Sequence, residues 1–152
     1  MPKSRVLFFI VAVCAAASAC TNGGVTTPTT SGSDYTGEWS GTTSQGAPIS
    51  FSISAGQTVT SITVGYKFNG CSGSNTFANL SLQIATAQSP FPPRVPTGDS
   101  PGFGFGSGPP EGANYTQVLG TLPSGQTSTG SVAFLNFSDC GNAVANWTAT
   151  KH

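Results

Sequence analysis

An all-β fold, a single antiparallel β-barrel or β-sandwich of seven to eight strands, is what this chain predicts, and three observations predict it. Short segments of alternating apolar and polar residues recur along its 152 residues. Clusters of Gly, Asn, Ser and Pro separate them, and no segment after the N-terminal one keeps the 3.6-residue spacing of a helix. The clearest stretch runs from Pro48 to Cys71. Ile49, Phe51 and Ile53 alternate with Ser50, Ser52 and Ser54; then Ile62, Val64, Tyr66 and Phe68 alternate with Thr63, Gly65 and Lys67. Each series has period two and so sets its apolar side chains on one face, while Ala55 to Thr58 contains the glycine that a tight reversal needs. The stretch reads as a hairpin, and the rest of the chain reads as more of the same sheet.

Length and composition bound the possibilities. The chain suffices for one domain with a real core, and no second composition block suggests another. Charged residues make up 7% of it, against roughly 25% in ordinary soluble proteins, so Ser, Thr, Gly and Asn fill the polar positions. Beyond residue 19, Lys67, Arg94 and Lys151 stand against Asp34, Glu38, Asp99, Glu111 and Asp139, a net charge of −2. With no basic patch to neutralise phosphates, the composition argues against nucleic acid as a partner.

At the N-terminus, Lys3 and Arg5 precede an apolar run from Val6 to Ala17. That run, about 12 residues, fits an export signal over residues 1–19 and falls short of the roughly 20 a membrane-spanning helix needs. Ala17-Ser18-Ala19-Cys20 follows. Over residues 1–20 the chain resembles bacterial lipoproteins, whose signal ends in a lipobox: a small-residue tripeptide before the cysteine that is lipidated and becomes the mature N-terminus. It departs from the usual pattern at Ala17, where Leu or Val is commoner. Ala17-Ser18-Ala19 also serves as an A-x-A site for ordinary secretion, and both readings cut before Cys20.

Cysteine parity separates the two readings. Cys14 lies within the removed run, which leaves Cys20, Cys71 and Cys140, an odd number for an oxidising compartment. Lipidation of Cys20 removes the odd thiol and leaves Cys71 and Cys140 to form one structural disulfide. The resemblance implies three acyl chains on Cys20, a palmitate-type anchor whose partner is the membrane, and more than one chain is what stable anchoring requires. It also implies an outer-membrane address, in a cell that has one, from Thr21 where Asp would signal retention. From Thr21 to Ser33 the chain has no periodicity, so residues 20–33 read as a lipid-anchored flexible linker with a mean span of roughly 20 Å.

The β-domain is expected over residues 34–152. Its first strand is Tyr35 to Gly41, with Tyr35 and Trp39 facing one way. Gly37-Glu38-Trp39 is similar to the G-x-W on the first strand of calycins, the lipocalin and avidin group of eight-stranded barrels, and implies a small apolar ligand. A tryptophan buried in any small β-domain is the plainer account of Trp39. After the hairpin, Gly70 to Asn75 reads as a turn cluster, and Phe77 to Ala85 as a strand with Leu80, Leu82 and Ile84 inward.

Thr86 to Gly112, rich in Pro and Gly, exceeds an ordinary connection. Within it, Gly102-Phe103-Gly104-Phe105-Gly106 forms either a short edge strand with both phenylalanines on one face or an apolar flap. Strands resume at Tyr115 to Leu122 and Gly130 to Phe137, and the last carries Ala143, Ala145, Trp147 and Ala149 on one side. The glycosylation-type tripeptides at Asn79, Asn114, Asn136 and Asn146 are expected by chance in so Ser/Thr/Asn-rich a chain.

Catalytic machinery is sparse. The one histidine is His152, and the five acids are scattered over turns and loops, so no serine or cysteine has a base in a recognised order. Asp99 with Glu111 is the one carboxylate pair a glycosidase reading could nominate. No ligand set for a metal and no cofactor motif are found. The expectation is therefore a non-catalytic, envelope-anchored domain with a binding or structural role and an envelope or surface partner. A ligand held among Trp39, Tyr66, Phe68 and Trp147, secretion without an anchor, and a hydrolase are the alternatives.

Overall fold

The structure, a computed structural model, describes residues 34–85 and 100–152. The expected export signal (1–19), Cys20, the expected linker (20–33) and residues 86–99, with Arg94 and Asp99, lie outside the described residues. The described part falls within one compact unit, Gly32–His152.

Nine strands follow in chain order: β1 (Gly37–Thr43), β2 (Pro48–Ile53), β3 (Thr58–Phe68), β4 (Cys71–Phe77), β5 (Leu82–Gln83), β6 (Gly102–Gly106), β7 (Tyr115–Thr121), β8 (Thr127–Phe137) and β9 (Gly141–Lys151). They make one antiparallel sheet in the order β4-β3-β2-β1-β9-β8-β7-β6, with β5 also on β3. Between barrel and sandwich, the barrel-like form holds: the sheet is continuous and curls until its two edges approach. Ala85 beside β5 bridges Gly102 of β6, and the Phe77 ring of β4 lies 4.6 Å from that of Phe105 on β6. Register shifts at Ser52/Ile53 and at Phe134/Phe137 add local bend where the curl needs it. β4 and β6 are the two edge strands of this order.

Antiparallel pairing fixes two ends. Asp34, the β2–β3 turn, Ala85, Ser100, the β7–β8 turn and Lys151 lie at one; the β1–β2 turn, the β3–β4 turn, residues 107–114 and the β8–β9 connection lie at the other. β6 thus divides the long Pro/Gly-rich loop, and its Phe103 and Phe105 share the inner face as an edge strand.

Three local expectations are corrected. Gly70 to Asn75 is not a turn cluster: Asn69 and Gly70, at φ 49° and 79°, form a two-residue turn, and Cys71 to Phe77 is strand β4. Left-handed geometry at both central residues matches the strand twist, which is why Asn-Gly suits this turn. Gly73 within β4 seats a ring, since a Cβ there would lie 2.5 Å from the Tyr66 hydroxyl.

In the β2–β3 turn the left-handed residue is Gln57, at φ 54°, and not Gly56. Its side chain explains the choice, accepting from the Tyr35 N–H at 3.2 Å and donating to Thr36 Oγ1 at 3.1 Å. Finally, Phe77 to Ala85 forms only the two-residue β5, although Leu80, Leu82 and Ile84 do pack on the core.

Asn79, Asn114 and Asn136 sit at φ 56°, 54° and 57°. Asparagine tolerates this region better than most residues, which gives these tripeptides a backbone reason to exist.

Candidate functional site

Two ring groups fill the inside of the curl. Phe51 of β2 lies 5.5 Å from Trp39, 5.2 Å from Phe103 and 5.8 Å from Trp147, and all four are buried. Nearer the disulfide end, Phe134 lies 5.6 Å from Tyr66, 5.4 Å from Phe68 and 5.4 Å from Phe137. Trp39, Tyr66, Phe68 and Trp147 therefore do point inward, but into contact with other rings. Glycines make the room: a Cβ on Gly120 would lie 2.6 Å from Phe103 Cε1, and one on Gly130 2.5 Å from Trp147 Cζ2. The ring planes rest on a backbone floor that side chains would obstruct.

The two tryptophans differ in one respect. Trp39 Nε1 donates to the Tyr35 carbonyl at 2.9 Å, whereas buried Trp147 Nε1 meets no acceptor among the described residues. Both Trp→Phe changes lose volume, but at Trp39 a satisfied hydrogen bond goes too, while at Trp147 an unsatisfied donor is removed. Trp39→Phe should cost about 1 to 2 kcal/mol more than Trp147→Phe. Urea unfolding of the two variants checks this, and an equal or reversed ranking contradicts the hydrogen-bond assignment.

Cys71 and Cys140 are bonded, with Cα atoms 5.9 Å apart and a sequence separation of 69. The bond joins the start of β4 to the turn Ser138–Cys140 between β8 and β9, and Asn69 Nδ2 donates to the Cys140 carbonyl at 2.7 Å beside it. Both cysteines of the β-domain are thereby consumed. Cys20, the lipidation candidate, is not among the described residues.

Polar chemistry lies on the outer face. His152 Nε2 is 2.6 Å from Ser40 Oγ, a contact the sequence did not suggest because 112 residues separate them and only the β1–β9 register brings them together. Glu38, next along that face, accepts from Ser52 Oγ at 2.7 Å, and Ser61 Oγ donates to Ser52 Oγ at 3.0 Å. Glu38 is thus engaged by Ser52, and among the described residues no carboxylate bonds the imidazole as a hydrolytic triad would need. Glu111 is exposed between β6 and β7, and its nominated partner Asp99 lies outside the described residues. No group of three His, Cys, Asp or Glu among the described residues is arranged to hold a metal ion.

Two hollows lie on the surface among the described residues. One of about 320 Å³ lies along Lys67 to Ser72 at the β3–β4 turn, and one of about 270 Å³ along Thr42 to Ser44 and Asn146 to Thr148. At the opposite end from the first, Lys151 Nζ donates to the Asp34 carbonyl at 3.0 Å and lies 3.7 Å from its carboxylate. Hydrogen bonds from the Thr36 backbone and side chain, with Gln57 and the Lys151 charge, hold the Asp34 carboxyl below the usual carboxylate range. Comparisons of the chain with protein families, curated proteins and solved structures give no match.

Proposed function

We propose that the chain is an envelope lipoprotein whose β-domain works without catalysis, as a binding or structural module. Residues 1–19 act as the export signal, Cys20 becomes the acylated N-terminus, residues 20–33 tether the domain, and residues 34–152 fold outside the cytoplasm. The observation that supports this best is the Cys71–Cys140 bond. Such bonds persist in oxidising compartments, and this one leaves Cys20 as the cysteine that needs another fate. The anchor places the domain at the outer membrane in a cell that has one.

The outer surface is the favoured working face because the interior is occupied by packed rings. A calycin-like binder of a small apolar ligand is the second reading, favoured by Gly37-Glu38-Trp39 on β1 and by β9 returning to pair with β1. It requires the rings to part, since a ligand site ordinarily needs a few hundred Å³ of enclosed space.

Cys20→Ser tests the anchor. The variant should move from the membrane fraction to the soluble or secreted fraction with the Cys71–Cys140 bond intact. Unchanged membrane partition of the variant would contradict the lipoprotein reading.

A further inference from the structure

Asn69 and Gly70, the central residues of the β3–β4 turn, are both exposed, at φ 49° and 79°. Asn69 Nδ2 donates to the Cys140 carbonyl at 2.7 Å, while among the described residues the Gly70 N–H meets no backbone acceptor. One surface turn thus sets together a side-chain amide, a free backbone N–H one residue on, and a glycine with no Cβ to shield that nitrogen.

We infer that Asn69 is a site of spontaneous deamidation, and that its conversion releases the β3–β4 turn from the β8–β9 connection. The inference concerns the folded β-domain and does not depend on the lipid anchor.

The chemistry needs water alone. The Gly70 nitrogen forms a bond to Asn69 Cγ and gives up its proton; the Cγ–Nδ2 bond breaks, and Nδ2 leaves as ammonia with that proton. Water then adds to a carbonyl of the cyclic imide so formed. Breaking the bond from Cγ to nitrogen gives aspartate. Breaking the bond from the backbone carbonyl carbon gives isoaspartate, whose chain runs through Cγ. Selectivity follows from the next residue: the other asparagines among the described residues precede Thr76, Leu80, Tyr115, Phe137, Ala143 and Trp147, whose side chains crowd the attacking nitrogen.

Both products undo the link to Cys140. An ionised carboxylate has acceptors only, so the Cys140 carbonyl loses its donor and faces oxygen instead. Isoaspartate also adds a backbone carbon to a turn whose length sets the Phe68–Cys71 pairing. Cys71 is the first residue after that turn, and the hollow along Lys67 to Ser72 gives a thiol an approach to it. Freed from the Asn69 bond, the turn should move more and the Cys71–Cys140 bond should yield faster to an added thiol.

Ageing the full chain in a mildly alkaline buffer made with heavy-oxygen water tests both parts. After reduction, trypsin releases the peptide 68–94, which separates Asn69 from the Asn22-Gly23 pair. Fragmentation should place the heavy oxygen at residue 69 many-fold above residues 75 and 79 of the same peptide, as a mixture of aspartate and isoaspartate. The aged protein, fractionated by charge, and an Asn69→Asp variant should both lose the disulfide to dithiothreitol several-fold faster than fresh protein. Their amide hydrogen exchange at residues 68–71 should rise by a similar factor. Label no higher at 69 than at 75 and 79 overturns the site. Label at 69 with unchanged reduction and exchange in the aged protein overturns the release of the turn.

Discussion

Replacing Cys71 and Cys140 together with alanine should lower the unfolding free energy by about 4 kcal/mol, the loop-closure cost of a bond spanning about 70 residues. The position of the bond argues for a loss of that size. β4 is an edge strand with most of its side chains exposed, joined to the sheet on one side through β3. Without the bond, its start is held to the β8–β9 connection by the Asn69 contact to Cys140 O and by the Tyr66 and Phe68 rings. Denaturant unfolding followed by the fluorescence of the two buried tryptophans measures the loss. A change below about 1 kcal/mol would mean that the ring group alone fixes the β3–β4 hairpin.

A loss of similar size, about 3 to 5 kcal/mol, is expected for Phe51→Ala. Phe51 is 2% exposed and touches the rings of Trp39, Phe103 and Trp147, which belong to β1, β6 and β9. Those rings rest on Gly120 and Gly130 or on one another, so little backbone is free to close over the space. The cost should therefore include the cavity as well as the lost burial. The same unfolding measurement applies, and a loss under about 2 kcal/mol would show that the interior collapses around the missing ring. Either variant should remove a large part of a stability that is ordinarily about 5 to 15 kcal/mol.

The strands with one solvent face and one core face were legible because their periodicity is a direct consequence of burial. β2, β3 and β9 alternate in sequence as they do in exposure. β4 was not legible. Its outer face sees water, its inner face gives Gly73 to the Tyr66 ring, and neither leaves an apolar pattern. The Asn69-Gly70 pair that announces its turn was present, but the Ser/Gly run after it imitates a loop.

Gln57 illustrates a different failure. Its left-handed backbone is stabilised by side-chain bonds to Tyr35 and Thr36, partners 22 and 21 residues away, which no local rule registers. The Ser40–His152 contact was hidden for the same reason, since it depends on how the last strand pairs with the first. The disulfide, by contrast, followed from counting cysteines, because parity needs no geometry.

The identity of the mature N-terminus bears most directly on the account. Mass spectrometry of the N-terminal peptide and of the intact protein, with thiols alkylated beforehand, reads it in one experiment. The predicted result is a chain beginning at Cys20, carrying acyl chains and no alkylated cysteine, with the Cys71–Cys140 bond in place. A chain whose Cys20 is unacylated and takes the alkylating agent, or one that retains the residues before it, would contradict the proposed lipid anchor.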